Sequence, residues 1–167
     1  FNFKEALDYS NELPADKYPD LREICLDLAH NKSPQSSYIE IVKLFKVNSA
    51  EKIYSYVISK ILKRLNSEDK NRFLKDLILL HNNALDEFSI FLSPDSKFLK
   101  IASANFKEIP PISDSGLSVI DISGSQLENA DELSSFKLSE LNISGCNISN
   151  YDFLLKLSEL QRLTVSK

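Results

Sequence analysis

The sequence contains no methionine, no tryptophan, three glycines and two cysteines in 167 residues, and each scarcity excludes a class of protein. Gly116, Gly124 and Gly145 are too few for a glycine-rich phosphate cradle. Cys25 and Cys146 lie far apart, which is not the dense framework of a small disulfide-stapled domain, so a reduced compartment, the cytoplasm, is expected. No apolar run approaches the ~18 residues of a spanning helix, and Phe1-Asn2-Phe3-Lys4-Glu5 lacks the apolar core of a signal peptide. The net charge is −4, with no basic excess or polybasic cluster in either half. Nucleic acid and anionic membrane are therefore not expected partners. The sequence opens without an initiator Met and stops inside a repeating pattern, so a fragment of a longer protein is expected.

Chemistry-bearing constellations are also scarce. His30 and His81 are the two histidines, and both fall near expected helix C-termini, where an imidazole complements the dipole. With no nucleophile elbow and no ligand-spaced His/Cys set, no catalytic residue, cofactor or metal is expected. The tripeptides at Asn31, Asn142 and Asn147 match the glycosylation sequon, a three-letter pattern that arises often by chance.

Residues 1–83 read as helical. Phe3, Ala6 and Leu7 form a short stripe. Leu21, Ile24, Cys25 and Leu28 follow the i, i+3, i+4, i+7 spacing of a buried face, behind a cap at Asp16. Tyr38, Ile41, Val42 and Phe45 mark a third helix. A fourth, capped by Ser49, carries Ile53, Tyr54, Val57, Ile58, Ile61, Leu62 and Leu65 on one side. Ser67 is placed to cap a fifth, with Glu68 and Asp69 in its first turn and Phe73, Leu74, Leu77, Ile78 and His81 along its stripe. Between 84 and 116 the character changes. Phe88 to Leu92 and Phe98 to Ser103 read as two strands joined by a turn at Pro94-Asp95.

From 117 to 167 one apolar pattern is written twice and begun again. Leu117, Ile120, Ile122, Leu127, Ala130, Leu133 and Phe136 take positions 1, 4, 6, 11, 14, 17 and 20. Leu138, Leu141, Ile143, Ile148, Tyr151, Leu154 and Leu157 take the same positions 21 residues later, and Leu160, Leu163 and Val165 begin a third copy after another 22. Position 9 is Ser125 and then Cys146, each preceded by Ser-Gly. Phe98, Ile101 and Ser103 match positions 1, 4 and 6 of a degenerate earlier copy.

This pattern resembles the leucine-rich repeat, LxxLxLxx(N/C)xL, in its short class of about 22 residues. It is similar to the repeats appended to bacterial eukaryote-like serine/threonine protein kinases, whose LSG element matches Leu117 to Ser125 and Leu138 to Cys146. Ala130-Asp131-Glu132-Leu133 and Tyr151-Asp152-Phe153-Leu154 stand where those tails carry Asp-Leu-x-Pro-Leu, and the chain has no kinase catalytic motif. The resemblance implies an α+β fold: a helical bundle capping a short solenoid with a small parallel sheet. It also implies that position 9 turns inward to bond backbone of the loop.

A solenoid of this class implies a non-catalytic protein-binding scaffold, the regulatory tail of a signalling kinase. Its expected binding face comprises the solvent-facing strand residues Val119, Asp121, Ser123, Glu140, Asn142, Ser144, Arg162, Thr164 and Ser166. Two other readings are an accessory domain of an enzyme, with a ligand pocket between helical and repeat parts, and a structural spacer. The strand at Leu163-Thr164-Val165 is expected to be an open edge available for self-association.

Overall fold

The computed structural model describes residues 36–48 and 51–166. The stripes at Phe3 to Leu7 and Leu21 to Leu28, the caps at Asp16 and Ser49, and the placements of Cys25 and His30 lie outside the described residues. The chain divides into two compact units, Phe1–Arg64 and Leu65–Lys167.

In the first unit, helices α1 (Ser36–Asn48) and α2 (Glu51–Leu62) pack against each other. Helix α1 buries Val42 and Phe45, three apart on one face. Helix α2 buries Tyr54, Val57, Ile58, Ile61 and Leu62, the broad stripe expected from the 3.6-residue period. Lys60 of α2 lies over the Tyr56 ring, 5.0 Å from its centroid.

The second unit starts with α3 (Ser67–His81), which buries Phe73, Leu74, Leu77 and Ile78. Its cap is Asn66 rather than Ser67. The Asn66 backbone is extended (φ −65°, ψ 170°), and its side-chain oxygen accepts from the Asp69 amide, leaving Ser67 as the first helical residue. This helix was grouped by sequence with the helical part, yet it lies with the strands, so the units divide at 64/65 and not at 83. Polar side chains explain why. Asn71 Nδ2 donates to Ser93 O at 2.8 Å, Ser96 Oγ to Ser67 O at 3.3 Å and Lys70 Nζ to Ser115 O at 3.4 Å.

A hairpin follows, with β1 (Ile90–Leu92) antiparallel to β2 (Phe98–Ile101). Phe88, expected in the first strand, instead sits in a 3₁₀ turn, Glu87–Ser89, and is 97% exposed. Asp86 caps that turn by accepting from the Phe88 amide, which stops the strand from starting earlier. Strands β3 (Val119–Asp121), β4 (Glu140–Asn142) and β5 (Arg162–Thr164) then add in parallel, giving a five-stranded, mostly parallel sheet in the order β1-β2-β3-β4-β5. The fold is thus mixed helix and strand, compatible with the expected α+β class.

Register is uniform across the parallel strands. Leu99, Ile120, Leu141 and Leu163 share one row, and the first three are buried beside Ile101, Ile122 and Ile143. β3 and β4 are each followed by a tight turn and then a 3₁₀ segment, Ala130–Ser135 after β3 and Asp152–Lys156 after β4. Leu133 is the buried residue of the first segment, as its position 17 implies. In the second segment Phe153 is buried and Leu154 is half-buried. The second segment begins one pattern position later, yet its buried residue lies one position earlier, at 16 and not 17. Tyr151, expected inward, precedes this segment and is 40% exposed. Leu163 and Val165 are 42% and 50% exposed, and among the described residues no strand lies beyond β5.

Candidate interaction face of the sheet

Strand side chains alternate between faces, so burying Leu99, Ile120 and Leu141 turns their neighbours outward. Phe98, Val119, Glu140 and Arg162 form one solvent-facing row; Phe91, Lys100, Asp121, Asn142 and Thr164 form the next. Six of the expected face residues (Val119, Asp121, Glu140, Asn142, Arg162 and Thr164) line one depression of about 260 Å³ together with Phe98. Ser123 and Ser144 do not line it; they sit half-buried in the turns just beyond the strands. Ser166 is exposed past β5.

The charges on this face are mutually arranged. Arg162 Nη1 donates to Glu140 Oε2 at 2.8 Å, and Lys100 Nζ lies 3.6 Å from Asp121 Oδ2. Acids occupy the inner strands β3 and β4, and bases occupy β2 and β5 on either side. Partial burial pushes the Asp121 carboxyl up, but hydrogen bonds from the Ser123 hydroxyl and amide, the Lys100 charge and the Asn142 side chain outweigh it. Its pKa is held below the usual carboxylate value. Asp121 and Asn142 also have a backbone task in common. Oδ1 of each accepts from the amide two residues on, Ser123 N and Ser144 N, both at 3.1 Å. This closes the turn as an Asx motif does, so these two residues shape the face as well as presenting groups on it.

The sequence reading missed the aromatic end of the face. Phe91 and Phe98 have ring centroids 5.7 Å apart, and Phe91 is 53% exposed. The signal was present in Phe98-Leu99-Lys100-Ile101, where burying Leu99 and Ile101 must turn Phe98 outward, but Phe98 was placed at position 1 of the degenerate copy, whereas it pairs with Val119 at position 3.

Below the sheet, position 9 forms an inward ladder. Cys146 Sγ donates to Ile122 O at 3.0 Å and lies 3.3 Å from Ser125 Oγ. Ser125 is buried and Cys146 half-buried. His81, expected at the end of α3, places Nδ1 2.6 Å from Glu108 Oε1, with the ring almost fully buried and the carboxylate half exposed. An apolar gap bordered by Ile78, Leu99, Phe106 and Ile112 has about 10 Å³, the room of a single water and far below that of a small-molecule site. Among the described residues no group of three or more His, Cys, Asp or Glu could hold a metal ion, and no helix is long and apolar enough to cross a membrane. No family model, curated protein or solved structure matches the chain.

Proposed function

We propose that the second unit is a short leucine-rich-repeat solenoid closed at its N-terminal end by α3 and the β1–β2 hairpin, and that it works as a non-catalytic protein-interaction module. The regulatory tail of a signalling kinase is the setting that the repeat resemblance implies. Two features support the solenoid reading. The apolar pattern recurs at 21 and 22 residues, and strands one period apart pair in parallel with equivalent residues opposite each other, as in Ile120 with Leu141 and Leu141 with Leu163.

The observation that carries the binding role is the continuous two-row face. It joins a partly exposed aromatic pair, Phe91 and Phe98, to a polar groove ending at Arg162. Aromatic and arginine side chains dominate binding hot spots because they combine large contact area with directional polar groups. The cross-strand ion pairs hold the groove's charges in place before a partner arrives, which lowers the ordering cost of association.

The test is selection of peptide or small-domain binders on the folded chain, followed by affinity measurement on two sets of variants. Phe98→Ala and Val119→Glu should weaken most selected binders by roughly tenfold or more, while Ser135→Ala, outside the face, should leave them unchanged. Binders insensitive to the face variants would remove this assignment.

A further inference from the structure

We propose that the partner recognised by the outer face is an extended peptide segment of another protein. It carries an apolar side chain that packs on Phe98 and, two residues away, a lysine or arginine that seats between Asp121 and Glu140. The inference rests on the interaction role proposed above and names the chemistry of its partner. Shape, charge and spacing lead to it.

The depression has about 260 Å³, below the ~300 Å³ at which small-molecule sites begin. It spans four strands and two side-chain rows. Neighbouring strands lie about 4.8 Å apart and same-face residues of one strand about 6.7 Å apart, so its floor is roughly 14 Å long and 7 Å wide. An α-helix with its side chains is about 10–12 Å across and would overhang both rows. An extended chain of about four or five residues covers the length.

Each acid of the face is on an inner strand and each base on a flanking one: Lys100 on β2, Asp121 on β3, Glu140 on β4 and Arg162 on β5. In the plane of the sheet, a cation midway between β3 and β4 stands about 4 Å from the positions of both acids and about 8 Å from those of both bases. The acids also keep capacity for it. Arg162 bonds Oε2 of Glu140, which leaves Oε1 to an incoming donor. Lys100 Nζ stays 3.6 Å from Asp121 Oδ2, outside hydrogen-bond range. Exposed pairs of this kind are weak, so they orient the acids without saturating them. Asp121 is the more firmly fixed acid, 18% exposed and accepting from the Ser123 amide, and its lowered pKa keeps it ionised at neutral pH. An acidic side chain in the same place would meet two carboxylates, so complementarity selects a base.

From Phe98 to the seat between β3 and β4 is one and a half strand spacings, about 7 Å. That is the distance between alternate residues of an extended chain, which also face the same way. An apolar side chain over Phe98 and a basic one over the seat therefore come from positions two apart. Val119, paired with Phe98 across the strands, floors the space between them. Phe91, its ring centroid 5.7 Å from that of Phe98, widens the apolar end.

A displayed library of random peptides, selected on the folded 167-residue chain, tests this. Binders lost on Phe98→Ala are those seated on the face. Among them, an apolar residue with lysine or arginine two positions away should be enriched. Synthetic copies of these peptides should bind Glu140→Gln roughly fivefold or more weakly and Lys100→Gln about twofold more tightly, with unchanged circular dichroism spectra. Opposite signs for the two variants separate charge recognition from damage to the fold. Face binders without that enrichment, face binders rich in aspartate or glutamate, or affinities unmoved by Glu140→Gln would overturn this partner chemistry and leave the interaction role standing. Absence of any Phe98-sensitive binder would overturn both. Self-association of the chain that Phe98→Ala abolishes would overturn it too, by making a second copy the occupant.

Discussion

Asn82 and Glu108 are joined in both directions: the Asn82 side-chain amide donates to Glu108 O at 2.9 Å, and its oxygen accepts from Glu108 N at 2.9 Å. The same side chain also donates to Ile78 O and accepts from Lys107 N, so a residue 4% exposed makes the full set of four hydrogen bonds an amide allows. Asn82 thereby links the end of α3 to the first loop behind the sheet. Asn129 repeats the device one layer on, bonding both N and O of Ile109. Asn82→Ala would leave the Lys107 and Glu108 amides without these acceptors in a partly buried setting. We expect a loss of about 2–4 kcal/mol, read as a lower urea midpoint at unchanged slope. Asn129→Ala, with two bonds at stake, should cost roughly half as much.

These asparagines also show what the sequence made legible. The rows of β3 to β5, the inward Ile122 and Ile143 and the six groove residues follow from apolar spacing alone, because a period of two within a strand and of 21 or 22 between strands fixes both face and neighbour. Asn82 and Asn129 carry no such period; their partners beyond the helix end are backbone atoms 20 to 26 residues away, which side-chain pattern does not encode. The membership of α3 was hidden for a similar reason, since its stripe looks like any amphipathic helix and its ties to the hairpin are side chain to carbonyl. Phe98 was legible and misassigned: the spacing put it at position 1 and Ile101 at position 4, whereas Leu99 pairs with Ile120 and so takes position 4, which turns Phe98 outward at position 3.

Asp121 gives the face a pH dependence. Its carboxyl is held below its ordinary value, so its contribution to stability is complete above the unfolded-state pKa, near 4, and is lost as pH falls through the lower folded value. Asp121→Asn should flatten that part of the acid limb, with an effect at neutral pH under about 1 kcal/mol. Asn142 performs the same turn-closing task one strand along, so the variant should keep its fold. Urea midpoints at pH 7 and pH 3, compared with the parent, check this. An unchanged slope between the two would show that Asp121 is not the group responsible.

Cys146 and Ser125 occupy the same repeat position, and their side chains touch. Because Cys146 acts by donating to Ile122 O, a hydroxyl should replace the thiol. Cys146→Ser is expected to stay within about 0.5 kcal/mol of the parent, while Cys146→Ala, which leaves the carbonyl without its donor, should lose about 1 kcal/mol. Thermal unfolding separates the two. Equal losses would mean that thiol volume, and not its hydrogen bond, is what the site uses.

Gly124 follows β3 at φ +75°, with open space where a Cβ would point, and Gly145 follows β4 at φ +69°. The cost of a side chain at Gly124 is therefore conformational and not steric. Gly124→Ala should destabilise by about 1–2 kcal/mol, the penalty for holding an L-residue in the left-handed region. Asparagine visits that region more readily than alanine, so Gly124→Asn should recover part of the loss although its side chain is larger. If asparagine proved worse than alanine, crowding would be the cause, and the close passage of the Gly124 and Gly145 turns, with a Cβ on Gly145 placed 3.7 Å from Gly124 Cα, would be where to look. The ordering of glycine, asparagine and alanine in urea midpoints thus distinguishes backbone strain from packing at the turn that sets the strand spacing.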